Sequence, residues 1–266
     1  MDRTEFLGLP NSVDSELPEV DEGSISSGHM GHSQVTKDQS SPAVVLMANQ
    51  LSKRSKVRAR WKEDAKDLLV AHEFALSAIY RAIDRFSGRK FDPRGPSVEG
   101  RMSLTAHFLQ GVEPCETAIS EGLYSQAAAL LKQEMETIEA MHEFVQGTRR
   151  EGRTPRIGGR LAGWGPIYGD MNAIAHVSRR DIALQLVHVE LGDLAAPSLT
   201  PVYNYELAKL MYGLHVFMIF DIARLNHDLF RELYGEGLDE EEFRWLFAAT
   251  RILTDAGAVV AVDSPI

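Results

Sequence analysis

The chain has 266 residues and a single cysteine, Cys115, so no disulfide can form within it and a cystine-stapled fold is excluded. Long apolar runs are lacking as well. The most apolar stretch, Leu210 to Phe220, is interrupted by His215 and flanked by Lys209 and Asp221. It falls short of the roughly 20 residues that a membrane-spanning helix needs, so no membrane association is expected. There is no Gly-x-Ser-x-Gly, no Walker loop and no dinucleotide fingerprint behind a strand. The nucleophile-elbow hydrolases, P-loop enzymes and Rossmann dehydrogenases are thereby set aside, and no cofactor is expected. Internal repeats are absent, and so is the period-two alternation that an α/β sheet needs. The acidic start MDRTEFLG has no apolar run of the kind a signal peptide carries. With one cysteine, the expected location is the cytoplasm.

The charge is uneven. The formal net charge is −10, and residues 1–42 contribute −6 of it, with eight acidic residues against Arg3 and Lys37. Rich in Ser, Gly and His and poor in large apolar residues, that stretch reads as a disordered acidic tail, and a natural start at Met30 fits the same composition. The remainder, 43–266, carries only −4 and reads as one helical domain.

Its periodicity is that of an all-α bundle of about six helices. A long helix, or two joined in line, is expected over 44–87, followed by a Pro/Gly linker and a helix over 101–121 that Pro114 should kink or break. The clearest helix is 123–146. Ala127, Leu131, Met135, Ile138, His142 and Val145 share one face, and Lys132, Glu136, Glu139 and Glu143 share a charged one. Helices from about Ile167 to Ser178, over 202–234 and from Asp239 to Ala256 complete the core bundle (101–257). The last should open on a capping box of Asp239 and Glu242, and the terminal AVVAV fits a short strand or coil.

Three patterns carry chemistry. Residues 147–166, GTRREGRTPRIGGRLAGWGP, hold five arginines, six glycines and one glutamate. Glycines and arginines before a helix N-terminus supply backbone donors and guanidinium groups that suit phosphate. The following helix carries Asn172 and His176 four residues apart, with Arg179 and Arg180 one turn later, so that a polar face would gather them. His176 is then a candidate general acid or base. The same residues also fit a helix junction with satisfied side chains and a solvated arginine loop. Glu139-x-x-His142 has the spacing of a carboxylate-bridged di-iron motif, but no second copy exists. A buried His142 beside a solvated glutamate row explains it, and no metal is expected. Finally, Lys53, Arg54, Lys56, Arg58, Arg60 and Lys62 crowd one stretch of the first helix, 53–62. This stretch fits nucleic acid, an acidic protein partner, the chain's own acidic tail, or simply a solvated helix face. Cys115 reads as a packed thiol, and Arg101 to His107 as a chance spacing.

Two segments together, EGLYSQAAALLKQEMETIEAMHEF (121–144) and the Tyr168-to-His176 helix, followed by a long apolar helix, resemble the HEPN-like helical superfamily, and in particular uncharacterised bacterial proteins of the abortive-infection type. The resemblance covers about residues 100–235. It implies a prokaryotic protein with an RNA- or nucleotide-linked role in defence or stress, and a homodimer built across paired helices. Ribonucleases of the superfamily carry an Arg-x(4–6)-His motif. Asn172 and His176 fall on its polar and histidine positions, but Met171 stands where the arginine belongs. On this mapping His176 and Asn172 are the catalytic candidates of a metal-independent ribonuclease, and Arg156, Arg160, Arg179 and Arg180 the phosphate-binding ones. The missing arginine leaves an inactive or repurposed member equally open. The alternative reading is a non-enzymatic helical protein-interaction module.

Overall fold

A computed structural model describes residues 41–90, 95–161, 163–191 and 194–259. Residues 1–40 of the stretch read as a disordered tail, and residues 91–94 of the linker after the first helices, lie outside them, while Ser41 and Pro42 open α1 and the second half of the linker, from Pro96, already belongs to α3. Eight helices are present among the described residues: α1 (Pro42–Asp64), α2 (Lys66–Phe86), α3 (Pro96–Ser120), α4 (Tyr124–Val145), α5 (Gly165–Ala175), α6 (Arg180–Val187), α7 (Tyr205–Tyr234) and α8 (Glu240–Asp255). The fold is all-α, with two more helices than the periodicity suggests. One comes from a joint at Ala65, whose backbone (φ −120°, ψ 32°) separates α1 from α2, although its N–H still bonds the Trp61 carbonyl and its carbonyl accepts from the Leu69 N–H. The other is α6. None of the helices is long and apolar enough to cross a membrane.

α7 forms the centre. Seventeen of its residues, from Leu207 to Phe230, are buried, and it packs against α2, α3, α4 and α8. α2 turns a stripe of small residues, Ala71, Ala75, Ala78 and Ala82, toward this core, so the helix backbones can approach closely. α3 and α4 lie side by side, with Gly100 under the ring of Phe144. The capping box at Asp239 and Glu242 is formed. Arg81 and Arg85 of α2 reach across to Glu241 and Glu242 of α8, and Arg89, just past the end of α2, pairs with Glu236 in the loop before α8.

Pro114 does not break its helix. α3 is continuous from Pro96 to Ser120, because a proline removes only one main-chain donor and α3 is supported along its length by α4 and α7. The turn-rich segment after α6 folds as a two-stranded antiparallel hairpin, β1 (His188–Leu191) and β2 (Leu194–Pro197), with His188 opposite Pro197 and Leu191 opposite Leu194. At the C-terminus the N–H groups of Ala258 and Val259 close onto the Leu253 carbonyl as a helix-ending turn. The rest of AVVAV lies outside the described residues.

Candidate functional site

The charged face of α4 is not solvated as its spacing suggests. Glu139 is fully buried. Its carboxylate accepts three backbone N–H groups from the arginine loop: Gly158 at 3.0 Å and Leu161 at 2.8 Å on Oε1, and Arg160 at 3.0 Å on Oε2. A buried carboxylate is tolerable only when its lone pairs are filled in this way. Two glycines make the approach possible. Gly158 sits at φ +123°, and a Cβ on Gly159 would lie 2.8 Å from both Glu139 Oε2 and His142 Nδ1. The neighbouring acids help. Glu143 accepts from the Arg156 N–H at 2.9 Å and from the Arg149 side chain at 3.3 Å, and Glu136 accepts from the Tyr168 hydroxyl at 2.6 Å. Burial, then that hydrogen bond and the carboxylate charge, push Tyr168 up to about 12. His142, expected on the apolar stripe, is half-buried, and Val145 beside it is exposed. The roles of Glu139 and His142 are thus the reverse of the expected ones.

Between α4 and the loop lies a pocket of about 730 Å³, walled by His142, Arg149, Arg150, Arg153 and Arg156 with Glu143 at its floor. Arg149 is occupied, since Nη1 also donates to the carbonyls of Arg150 and Arg153. The guanidinium groups of Arg150, Arg153 and Arg156 make no ion pair among the described residues, and all three residues are exposed.

The residues expected to form a site around His176 are dispersed. α5 ends at Ala175, and His176 is its exposed C-cap. Val177 then takes the left-handed conformation (φ +50°), while the Val177 and Ser178 N–H groups close onto Ile174 and Ala173. This is a Schellman ending, so Asn172, His176 and Arg179 do not share a helix face. Arg179 precedes α6 and is held by Asp181 at 2.6 Å, with Asp170 at 3.9 Å; Arg180 is exposed in the first turn of α6. Arg160 forms a two-nitrogen fork on Asp221 of α7, at 2.7–3.2 Å. Met171, at the family's arginine position, is buried in the core. Of the proposed phosphate ligands, Arg156 lines the α4 pocket and the other three do not.

The basic stretch 53–62 is likewise half spent inside the fold. Arg54 and Arg58 bind Glu121 and Glu116 at the end of α3, and Arg60 bridges to Asp64. Lys53, Lys56 and Lys62 make no ion pair among the described residues.

A second polar group, which sequence reasoning passes over, lies inside the bundle. His215 of α7, Glu134 of α4 and Cys115 of α3 are all buried, with one ligand-type atom of each within 4.8 Å of the others. His215 Nδ1 stands 2.8 Å from Glu134 Oε1. Burial, and then the nearby Glu134 carboxylate, push the Cys115 thiol well up. His72 of α2 stacks on His215 with ring centroids 5.3 Å apart, and burial followed by the charge of His215 pushes it down to about 3. Among the described residues, the Nε2 atoms of His72 and His215, the Tyr212 hydroxyl and the Trp61 indole N–H have no hydrogen-bond partner. A signal was present. His215 interrupts an apolar run, and Glu134 sits between Leu131 and Ile138 on the apolar face of α4.

Comparison of the chain with family models, curated proteins and solved structures finds no match.

Proposed function

We propose that the protein binds a phosphate-bearing ligand, a nucleotide or an RNA, in the pocket between α4 and the arginine loop. The observation that carries this reading is the wall of three guanidinium groups, Arg150, Arg153 and Arg156, without an ion pair among the described residues, beside the His142 imidazole. Guanidinium forks match phosphate oxygens in geometry and charge. A loop fastened through its own main chain holds those arginines without using their side chains. This keeps the RNA- or nucleotide-linked defence or stress role implied by the HEPN-like resemblance, in a cytoplasmic homodimer, and moves its binding centre from His176 to the α4 pocket. If RNA is cleaved, His142 is the first candidate for proton transfer and His176 the second.

The test is titration of the full chain with ATP, pyrophosphate and a short single-stranded RNA, beside an Arg153→Ala/Arg156→Ala double variant. Hydrogen bonds to charged groups contribute about 1.5–3 kcal/mol, so each lost arginine should weaken binding roughly tenfold or more. Equal binding by both proteins to all three probes would remove the reading. Incubation with total RNA, wild type beside His142→Ala and His176→Ala, then separates an enzyme from a binder.

A non-enzymatic interaction module has one observation in its favour. The first turns of α1 expose Val44, Val45, Met47 and Leu51, each 47% or more accessible. Single apolar residues at a surface are ordinary, whereas a cluster of this kind is a docking face. Mass measurement in solution of a Met47→Glu/Leu51→Glu variant tests whether that face joins two copies. An unchanged oligomeric state removes the face from that role.

A further inference from the structure

We propose that Cys115 Sγ, the Glu134 carboxylate and His215 Nδ1 form a three-ligand site for a zinc-class divalent cation inside the bundle. This inference is independent of the pocket reading above. Three different helices, α3, α4 and α7, each deliver one donor to the same point, and the three donor atoms lie within 4.8 Å of one another. Tetrahedral zinc with ligand bonds of about 2.0–2.3 Å needs donor separations of roughly 3.3–3.6 Å. Side-chain rotations of about 1 Å or so therefore suffice, chiefly an opening of the His215–Glu134 contact from 2.8 Å.

Charge favours the same assignment. A lone divalent ion in an apolar core is prohibitive, but one thiolate and one carboxylate cancel it, and a neutral imidazole completes a soft and borderline donor set suited to zinc. Binding releases one proton to solvent, that of the Cys115 thiol, as Sγ bonds the metal; the neutral His215 imidazole binds through Nδ1 and carries its single N–H on Nε2. An approach from solvent exists as well. A pocket of about 250 Å³ between α3 and α4, bordered by His107, Gly111 and Pro114, has Glu134 in its wall.

Because Cys115 is the only cysteine, cobalt is a selective probe. The full chain, stripped with a chelator, is titrated with Co²⁺ and Zn²⁺ alone. One equivalent of Co²⁺ should raise a near-ultraviolet thiolate-to-cobalt charge-transfer band, which one equivalent of Zn²⁺ abolishes. Cys115→Ser and His215→Ala, each checked for helicity, should weaken Zn²⁺ binding by about 100-fold or more, at least the effect of losing an outer-shell partner. Should either variant fail to fold, the wild-type band alone decides. Absence of the band, or binding of Co²⁺ without it (as the tail histidines His29 and His32 would give), overturns the proposal. So does a folded Cys115→Ser variant with unchanged Zn²⁺ affinity.

Discussion

Glu139 should be the residue on which the arginine loop depends. Replacing it with alanine removes the acceptor that the N–H groups of Gly158, Arg160 and Leu161 use, bonded at 2.8–3.0 Å to a fully buried carboxylate. Each donor left without a partner costs about 1–3 kcal/mol, but the loop can open and return all three to water, which caps the total. What is then lost is the packing of buried Leu161 and the stacking of Trp164 on Phe217 at 4.8 Å. The expected destabilisation is about 3–5 kcal/mol, the range seen when one member of a buried charged network is removed. Glu139→Gln should cost less, about 2–3 kcal/mol, because an amide oxygen in the Oε1 position keeps two donors while its NH₂ opposes the Arg160 N–H. Gly159→Ala provides an independent approach, since its new Cβ would press on Oε2 from 2.8 Å. Urea unfolding gives the energies, and hydrogen exchange at Gly158, Arg160 and Leu161 gives the location. Trypsin, which cuts after arginine, should open the loop of Glu139→Ala within the native baseline, well before global unfolding. Unchanged exchange at those three amides in Glu139→Ala would refute the cradle.

Other perturbations have equally definite outcomes. Val177→Gly should stabilise the protein by about 0.5–1 kcal/mol, seen as a Tm rise of roughly 1–3 °C. The reason is that the same place at three other helix ends is held by Gly122, Gly147 and Gly257, whereas a β-branched residue at φ +50° is strained. Tyr168 holds its proton to about 12 in the folded chain against an ordinary value near 10. Its contribution to stability is therefore complete below about pH 10 and is lost as pH rises through 12. The difference in ultraviolet titration between wild type and Tyr168→Phe should show that late midpoint, and a midpoint at 10 would contradict the Glu136 contact. Glu121→Gln loosens Arg54 and Arg58 together at a half-exposed site, costing about 0.5–1 kcal/mol. The loss should appear as faster hydrogen exchange along α1 and should shrink at high salt.

The helices that pack along most of their length were legible, because burial imposes its period on the chain. α4, α7 and α8 begin and end within three residues of the expected limits, and Asp239 and Glu242 announce their cap by their spacing alone. What escaped notice depends on partners distant in sequence. Nothing local to Glu139 shows that donors 19 to 22 residues later will surround its carboxylate. The joint at Ala65 lies in a run of good helix formers, and the ending at Val177 lacks the glycine that normally marks one. The hairpin was better signposted, since Leu191 and Leu194 enclose the two residues Gly192 and Asp193, a usual two-residue loop composition. The shared polar face of Asn172, His176 and Arg179 presupposes one helix continuing past Ala175, where α5 ends. The cluster at His215 went unnoticed because its three donors are spread over 101 positions, from Cys115 to Val216's neighbour in the apolar run.

The way the arginine loop is fastened separates its shape from its charge. Glu139 and Glu143 hold main-chain N–H groups, which every residue but proline possesses, and only Arg149 and Arg160 give their side chains to the architecture. Positions 150, 153 and 156 are therefore interchangeable fittings on a fixed frame. Lysine, glutamine or even glutamate could stand there without refolding the loop. The charge that the loop presents to its pocket can then drift, or be redesigned, at a handful of side chains while the scaffold beneath them keeps its form.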